Sequence, residues 1–186
     1  MALLIAVTCG CGGTSANLDE PSGPVGKVIR AERVATDPTL GPVLRVAPKV
    51  RMQLPLDWVA TPDRRLLWHS AASSDGHRRT FNIVAEPPRA SGEPSGVFFE
   101  EMRAEYEAET RGVQRIVEAT PARVGRFDAL KLVVERSESG KDFKILQLVV
   151  AGERGTYYLT WTSVKGEFEP LEAMFLRASS TLVEEE

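Results

Sequence analysis

Cys9 and Cys11 are the only cysteines in 186 residues, and they stand two apart near the start of the chain. Thiols at that spacing suggest metal ligation, a disulfide, or modification of a single thiol. A zinc site needs about four ligands, and here only His69 and His77 could join the two cysteines. A disulfide between neighbours this close would close a very small, strained ring. Three other groups carry residue types that do chemistry. Ser74-Asp75-Gly76-His77 holds nucleophile, acid and base side by side, but adjacency in sequence is not triad geometry, and the stretch reads as a polar hairpin connection. His69 follows Trp68 on a predicted strand and reads as a structural histidine. The carboxylates Glu100-Glu101 and Glu107/Glu109 fall on the wet side of a predicted amphipathic helix. No Gly-x-Ser-x-Gly elbow, phosphate loop or dinucleotide fingerprint is present. The sequence therefore predicts no catalytic site, no metal and no cofactor.

The remaining option, modification of one thiol, fits the setting of the cysteines. Ala2-Leu3-Leu4-Ile5-Ala6-Val7 is a short apolar run directly before them. It resembles the end of a signal-peptide apolar core followed by a bacterial lipobox, in which an apolar residue and two small ones precede a lipidated cysteine. Gly10 before Cys11 fits the small position better than Thr8 before Cys9, so Cys11 is the favoured site. Ala6 at the third position before Cys9 keeps Cys9 as the alternative. The segment departs from the pattern in that no Lys or Arg precedes Lys27. A start upstream of Met1 is the simplest account. Residues 1–11 are then the signal segment. A domain without cysteines folds in an oxidising compartment without mispairing. Residues 12–42, rich in Gly, Ser, Pro, Asn, Asp and Glu, read as a flexible tether between a membrane anchor and a domain at 43–183.

Charge narrows the partners. The net charge is only −3, and the basic clusters Asp63-Arg64-Arg65 and His77-Arg78-Arg79 are short. That is no electrostatic footprint for nucleic acid. No run reaches the roughly 18 apolar residues of a transmembrane helix.

Stepping through the domain, Val43-Leu44-Arg45-Val46 and Val50-Arg51-Met52-Gln53-Leu54 alternate as half-buried strands do, and Leu56-Asp57-Trp58 turns. Leu66-Leu67-Trp68-His69-Ser70 and residues 79–85 are two further strands. Phe98, Phe99, Met102 and Tyr106 share one face of a predicted helix over 96–111, capped by Ser95 and stopped by Gly112. A meander follows. Its first strand is 113–118, and a second opens at 122–124, bends at 125–128 and continues to 135. The hairpin at Ser137-Glu138-Ser139-Gly140-Lys141 leads to 142–150, and the turn at 152–155 leads to the last strand, 156–163. Leu146, Leu148 and Val150 fall on one face and Phe143, Ile145 and Val149 on the other, so both faces should be covered. Residues 167–182 form a closing helix with Pro170 in its first turn. The order predicts an α+β fold, a central antiparallel sheet flanked by helices.

Three stretches carry a resemblance. They are Val50-Arg51-Met52-Gln53-Leu54-Pro55-Leu56-Asp57-Trp58, then Phe81-Asn82-Ile83-Val84, and then residues 143–162 followed by Phe168, Pro170, Phe175 and Ser179-Ser180. Together the pattern resembles the PsbP-like, Mog-type fold and, within it, bacterial lipoproteins related to DcrB. The resemblance implies an α/β/α sandwich and an adaptor, assembly or binding role rather than catalysis. A protein partner in the cell envelope is the first expectation, and a small-ligand or lipid carrier the second. Among the aromatics Trp58, Trp68, Trp161, Tyr157 and Tyr158, most belong to a core. Trp58, Trp68 and Tyr158 are the candidates for an exposed partner-binding patch.

Overall fold

A computed structural model describes residues 37–62, 67–72, 78–88 and 95–185. Cys9, Cys11, the tether to residue 36, the cluster at 63–65 and the loop at 73–77 with His77 lie outside the described residues, and Trp68 and His69 are placed by backbone register alone.

Among the described residues twelve elements follow one another: β1 (Val43–Ala47), β2 (Val50–Gln53), β3 (Val59–Pro62), β4 (Leu67–Ala72), β5 (Arg78–Glu86), α1 (Ser95–Thr110), β6 (Arg115–Val124), β7 (Phe127–Glu138), β8 (Lys141–Ala151), β9 (Thr156–Val164), α2 (Lys165–Ser180) and β10 (Val183–Glu184). The main sheet has seven antiparallel strands in the order β3-β4-β5-β9-β8-β7-β6, and a small sheet has the order β1-β2-β10. The connection containing α1 takes the chain from β5 to the far edge. Each later hairpin steps one strand back until β9 pairs with β5. The fold is thus the expected α+β sandwich, with a second small sheet added.

Turn chemistry fixes the meander. Ser139 and Gly140 both have positive φ (51° and 77°) between the paired Glu138 and Lys141, the backbone of a two-residue hairpin whose twist matches the strands. Gly125 (φ +57°) and Arg126 form a second tight reversal between Val124 and Phe127. A Cβ at Gly125 would lie 3.0 Å from the Ser180 carbonyl oxygen, so this turn requires glycine twice over. The sequence reading put a bend here within one strand. The structure has a full reversal, and residues 115–124 form one strand through Pro121. Proline is tolerated there because β6 is the sheet edge, where one side needs no donor. Two further differences concern α2 and the short strands. The helix begins at Lys165, two residues earlier than expected, which puts Pro170 in its second turn rather than its first. Strands β3 and β10 were not anticipated.

Alternation along the central strands divides the core in two. On one face Phe81, Ile83, Leu146, Leu148, Val150, Leu159 and Trp161 pack with Phe168, Phe175 and Ala178 of α2, with Val50 and Met52 of the small sheet and with Leu54 just after it. On the other, Leu130, Leu132, Val134, Ile145, Val149 and Tyr158 are buried, and α1, seated over β6 and β7, contributes buried Phe98, Phe99, Met102 and Tyr106. Each such side chain removed from water is worth about 1.5–3 kcal/mol.

Residues 37–42, ahead of the boundary expected at 43, pack against the domain. The buried Gln53 side chain accepts from the Asp37 amide (2.8 Å) and donates to the carbonyls of Gly41 (2.8 Å) and Asp37 (3.2 Å). Leu40, polar neighbours notwithstanding, is buried in the core. One glutamine thus fixes six residues whose composition alone reads as tether.

Candidate binding cleft

The aromatic candidates do not form a surface patch. Trp58 is buried, with its ring edge-on to Trp161 (5.3 Å between centroids) and to Phe175 (6.1 Å). Tyr158 is buried on the opposite face of the main sheet, where its hydroxyl donates to Glu86 Oε2 at 3.2 Å. Trp68 stands opposite Asn82 in the β4–β5 ladder and His69 opposite Phe81. Large rings are worth most inside a core, and two of the three candidates are there, Trp58 from the connection between β2 and β3 and Tyr158 from β9. The carboxylates Glu100, Glu101 and Glu107 are exposed along α1, as their helical spacing predicts. Among the described residues no three His, Cys, Asp or Glu side chains gather as a metal-binding group.

The structure instead brings together residues that nothing in the sequence links. An open cleft of about 530 Å³ is lined by Gly112, Val113, Gln114, Arg115, Glu135, Arg136, Ser137, Asp142, Phe143 and Lys165. Five element ends converge to make it, the ends of α1 and β7 and the starts of β6, β8 and α2. Gly112, with φ +81°, ends α1, and the amides of Val113 and Gln114 both donate to the Thr110 carbonyl as the chain turns into β6. The β6–β7 ladder sets Arg115 opposite Glu135. The β7–β8 ladder sets Arg136 opposite Phe143 and Ser137 opposite Asp142, while β8–β9 pairing sets Phe143 opposite Val164, the residue before Lys165.

The electrostatics of the cleft centre on Glu135. Arg115 Nη2 donates to its Oε2 at 2.5 Å and Lys165 Nζ to its Oε1 at 2.9 Å. The Arg115 hydrogen bond, then that of Lys165, bring the Glu135 carboxyl down to about 2. Arg136 Nη2 donates to Glu138 Oε2 at 2.6 Å, but its Nε is buried without a partner. Ser137 Oγ donates to Asp142 Oδ1 at 2.5 Å. At the rim the Tyr106 hydroxyl donates to Gln114 Oε1 at 3.1 Å, and burial pushes that phenol up to about 12. A carboxylate doubly paired to cations is ionised in the neutral range, so Glu135 has no proton to give there as a general acid and is a weak general base. What the cleft offers is positioned charge and hydrogen-bond donors.

No protein-family model matches the chain, and no curated protein sequence matches it. Solved structures do. LpqN, involved in cell envelope biogenesis of Mycobacterium tuberculosis, is similar at a TM-score of 0.56 and 16% identity, over 82% of this chain and 88% of its own. PA94 from Pseudomonas aeruginosa, a protein of unknown function and candidate regulator, is similar at a TM-score of 0.53 and 16% identity, over 78% of this chain and 97% of its own. At such identities the likeness is one of fold. Cyanobacterial PsbP from Synechocystis sp. PCC 6803 superposes at a TM-score of 0.38 with 7% identity, over 73% of this chain and 86% of its own, which is too loose to carry an argument.

Proposed function

We propose that this chain is a non-catalytic lipoprotein of the bacterial cell envelope, held to a membrane through Cys11, or Cys9 in its place, and that its PsbP-like domain binds another protein or helps assemble a complex in the periplasm or outside the cell. The observation that carries the binding reading is the open, ion-paired cleft at the junction of α1, β6 and α2. Its one strongly perturbed carboxylate is locked in the ionised state by two cations, which suits recognition better than proton transfer. The filled layer between α2 and the sheet, where Phe81, Trp161, Phe168 and Phe175 are all fully buried, favours a surface-binding role over a carrier with an internal pocket. The envelope location draws support from the lipobox-like Thr8-Cys9-Gly10-Cys11 stretch and from the fold shared with LpqN. The DcrB relation rests on the sequence resemblance alone.

The test is intact mass and membrane partition of the chain expressed in a bacterial host, beside Cys11→Ala and Cys9→Ala. A diacylglyceryl mass lost only in Cys11→Ala is the expected result, and loss only in Cys9→Ala moves the anchor by two residues. An unmodified, soluble wild type would overturn the envelope reading. In the same cells, crosslinking from the cleft rim should recover one envelope protein reproducibly.

A further inference from the structure

Residues 183–185 bridge the two sheets, and they do so with charge more than with apolar burial. β10 meets β2 at two positions, Val183 opposite Arg51 and Glu184 opposite Val50. The Glu185 amide then donates to the Lys49 carbonyl at 2.8 Å. The Glu185 carboxylate accepts from Arg45 Nη2 of β1 at 2.8 Å and pairs with Arg51 Nε of β2. Glu184 reaches the other way, to the β8–β9 turn of the main sheet. Its Oε1 accepts from the Arg154 amide (2.9 Å) and the Tyr157 hydroxyl (2.6 Å), and its Oε2 from the Glu153 amide (3.1 Å). Two successive amides and a hydroxyl converging on one carboxylate make a small anion nest, filled here by the chain's own residue.

The turn is shaped around that carboxylate. A Cβ at Gly152 would collide with Glu184 Oε1 and with the Tyr157 ring. The Gly152 amide donates to the Gly155 carbonyl at 2.9 Å and closes the turn. Burial, and then the bond to Glu184, hold the Tyr157 phenol above its ordinary range, so it stays a donor at neutral pH. The segment itself is thinly packed. Val183, Glu184 and Glu185 are half-buried, whereas Leu182 just before them belongs to the core. Thr181 is fixed as well, since its hydroxyl donates to the Ala178 carbonyl (2.6 Å) and accepts from the Gln53 amide (2.8 Å). A segment that swings away from Val183 onward therefore gives up little apolar contact, and its two carboxylates recover hydration. It leaves behind an unpaired stretch of β2 edge.

We infer that residues 183–185 are a charge-held strap between the small sheet and the β8–β9 turn, hinged at Leu182, which opens as one unit while both sheets stay folded. Opening bares the β2 edge at Val50 and Arg51 and frees the amides of the turn. Neither the membrane anchor nor the cleft bears on this strap.

The experiment is amide hydrogen exchange on the isotope-labelled full chain, followed by NMR at neutral pH. The amides of Glu153, Arg154 and Glu185 should share one protection factor, about tenfold or more below those of β8 and β9. Salt acts chiefly on the Glu185 pairs, because Arg45 is 61% exposed, while the donors to Glu184 are neutral groups. In about 1 M sodium chloride all three amides should nonetheless lose protection together, several-fold, with β8 and β9 unchanged. Glu185→Gln removes the two arginine pairs and should lower protection several-fold at Glu153 and Arg154, which bond to Glu184 rather than to Glu185. Tyr157→Phe deletes one bond to Glu184 and should do the same at the Glu185 amide. Salt and Glu185→Gln decide the matter if Tyr157→Phe also loosens β8 and β9. Loss of protection at Glu185 alone, in salt or in Glu185→Gln, would mean separate contacts and no strap. Protection of the three amides equal to that of β8 and β9 would mean that the segment leaves only when the whole domain unfolds, which overturns the inference as well.

Discussion

The two layers that cover the main sheet are held by different forces. Under α2 the contact is aromatic and dense: Trp161 stacks on Phe175 (4.8 Å, 14°) and lies against Phe81 (4.1 Å), and its indole N–H donates to Ser179 Oγ at 2.9 Å. Ion pairs then fasten the same helix to three strands, Glu167 to Arg79 of β5 (3.0 Å), Glu169 to Lys144 of β8 and Glu172 to Lys131 of β7 (2.5 Å). Under α1 the contact is narrower. Four side chains turn inward over β6 and β7, and the register puts Thr80, Asn82, Thr160 and Thr162 on the same face as Tyr158, with the three threonines only half-buried. The cleft opens where α1 ends. One layer thus concentrates stability, and the other leaves polar surface and a helix end for recognition, a division that active and binding surfaces commonly show.

The largest effect should come from breaking the α2 layer at its centre. Trp161→Ala removes a fully buried ring that touches three other aromatics and leaves Ser179 without its donor, and should cost about 3–5 kcal/mol in urea unfolding. Met102→Ala is the matching change under α1. Methionine is pliable, and the layer around it is thinner, so a loss of about 2 kcal/mol is expected, with the slope of the unfolding transition unchanged. A loss at Met102 equal to that at Trp161 would mean that the two layers are one cooperative core.

How far the sequence announces this arrangement differs between its parts. The helix faces and the meander are legible because their signals are local. Phe98, Phe99, Met102 and Tyr106 recur at helical spacing, and Ser139-Gly140 can occupy positive φ. β10 is not legible, since two residues become a strand only through pairing with Val50 and Arg51. Nor is β3, four residues that end in proline. Trp58 shows its ring type in sequence but not its burial, which depends on Trp161 and Phe175 arriving from more than a hundred residues away. The cleft is the extreme case. Arg115, Glu135, Arg136 and Lys165 are ordinary surface residues until three ladders set their registers, and no local pattern encodes a register shared by separate hairpins.

A smaller effect should distinguish the outer sheet from both layers. Gln53→Ala deletes an amide that serves Asp37 and Gly41, while the Gln53 backbone amide keeps its bond to Thr181 Oγ1 (2.8 Å). The expected cost is about 1–2 kcal/mol, at the low end for a buried hydrogen-bonding group because water can reach the freed Asp37 amide. Hydrogen exchange at residues 37–42 should accelerate while β8 and β9 stay protected, and uniform acceleration would mean that the small sheet unfolds with the rest.

The finest contrast is one of pH, and it belongs to the cleft. The Glu135 carboxyl is lowered from 4.5 to about 2 in the folded chain, chiefly by the hydrogen bonds from Arg115 and Lys165. A depressed carboxyl stabilises the fold in its ionised form, so its contribution is complete above about pH 4.5, shrinks as pH falls, and is gone below about pH 2. Glu135→Gln should therefore differ from wild type by a constant, small amount between pH 6 and 8. The gap should close between pH 4.5 and 2, and it should narrow in high salt because Arg115 is 72% exposed. Trp161→Ala should show no such closing gap, since its ring neighbours Trp58, Phe81 and Phe175 and its partner Ser179 carry no carboxyl. A Glu135→Gln gap that persists to pH 2 would mean that the carboxylate acts through packing rather than charge, and the cleft would then be held together by the same means as the α2 layer.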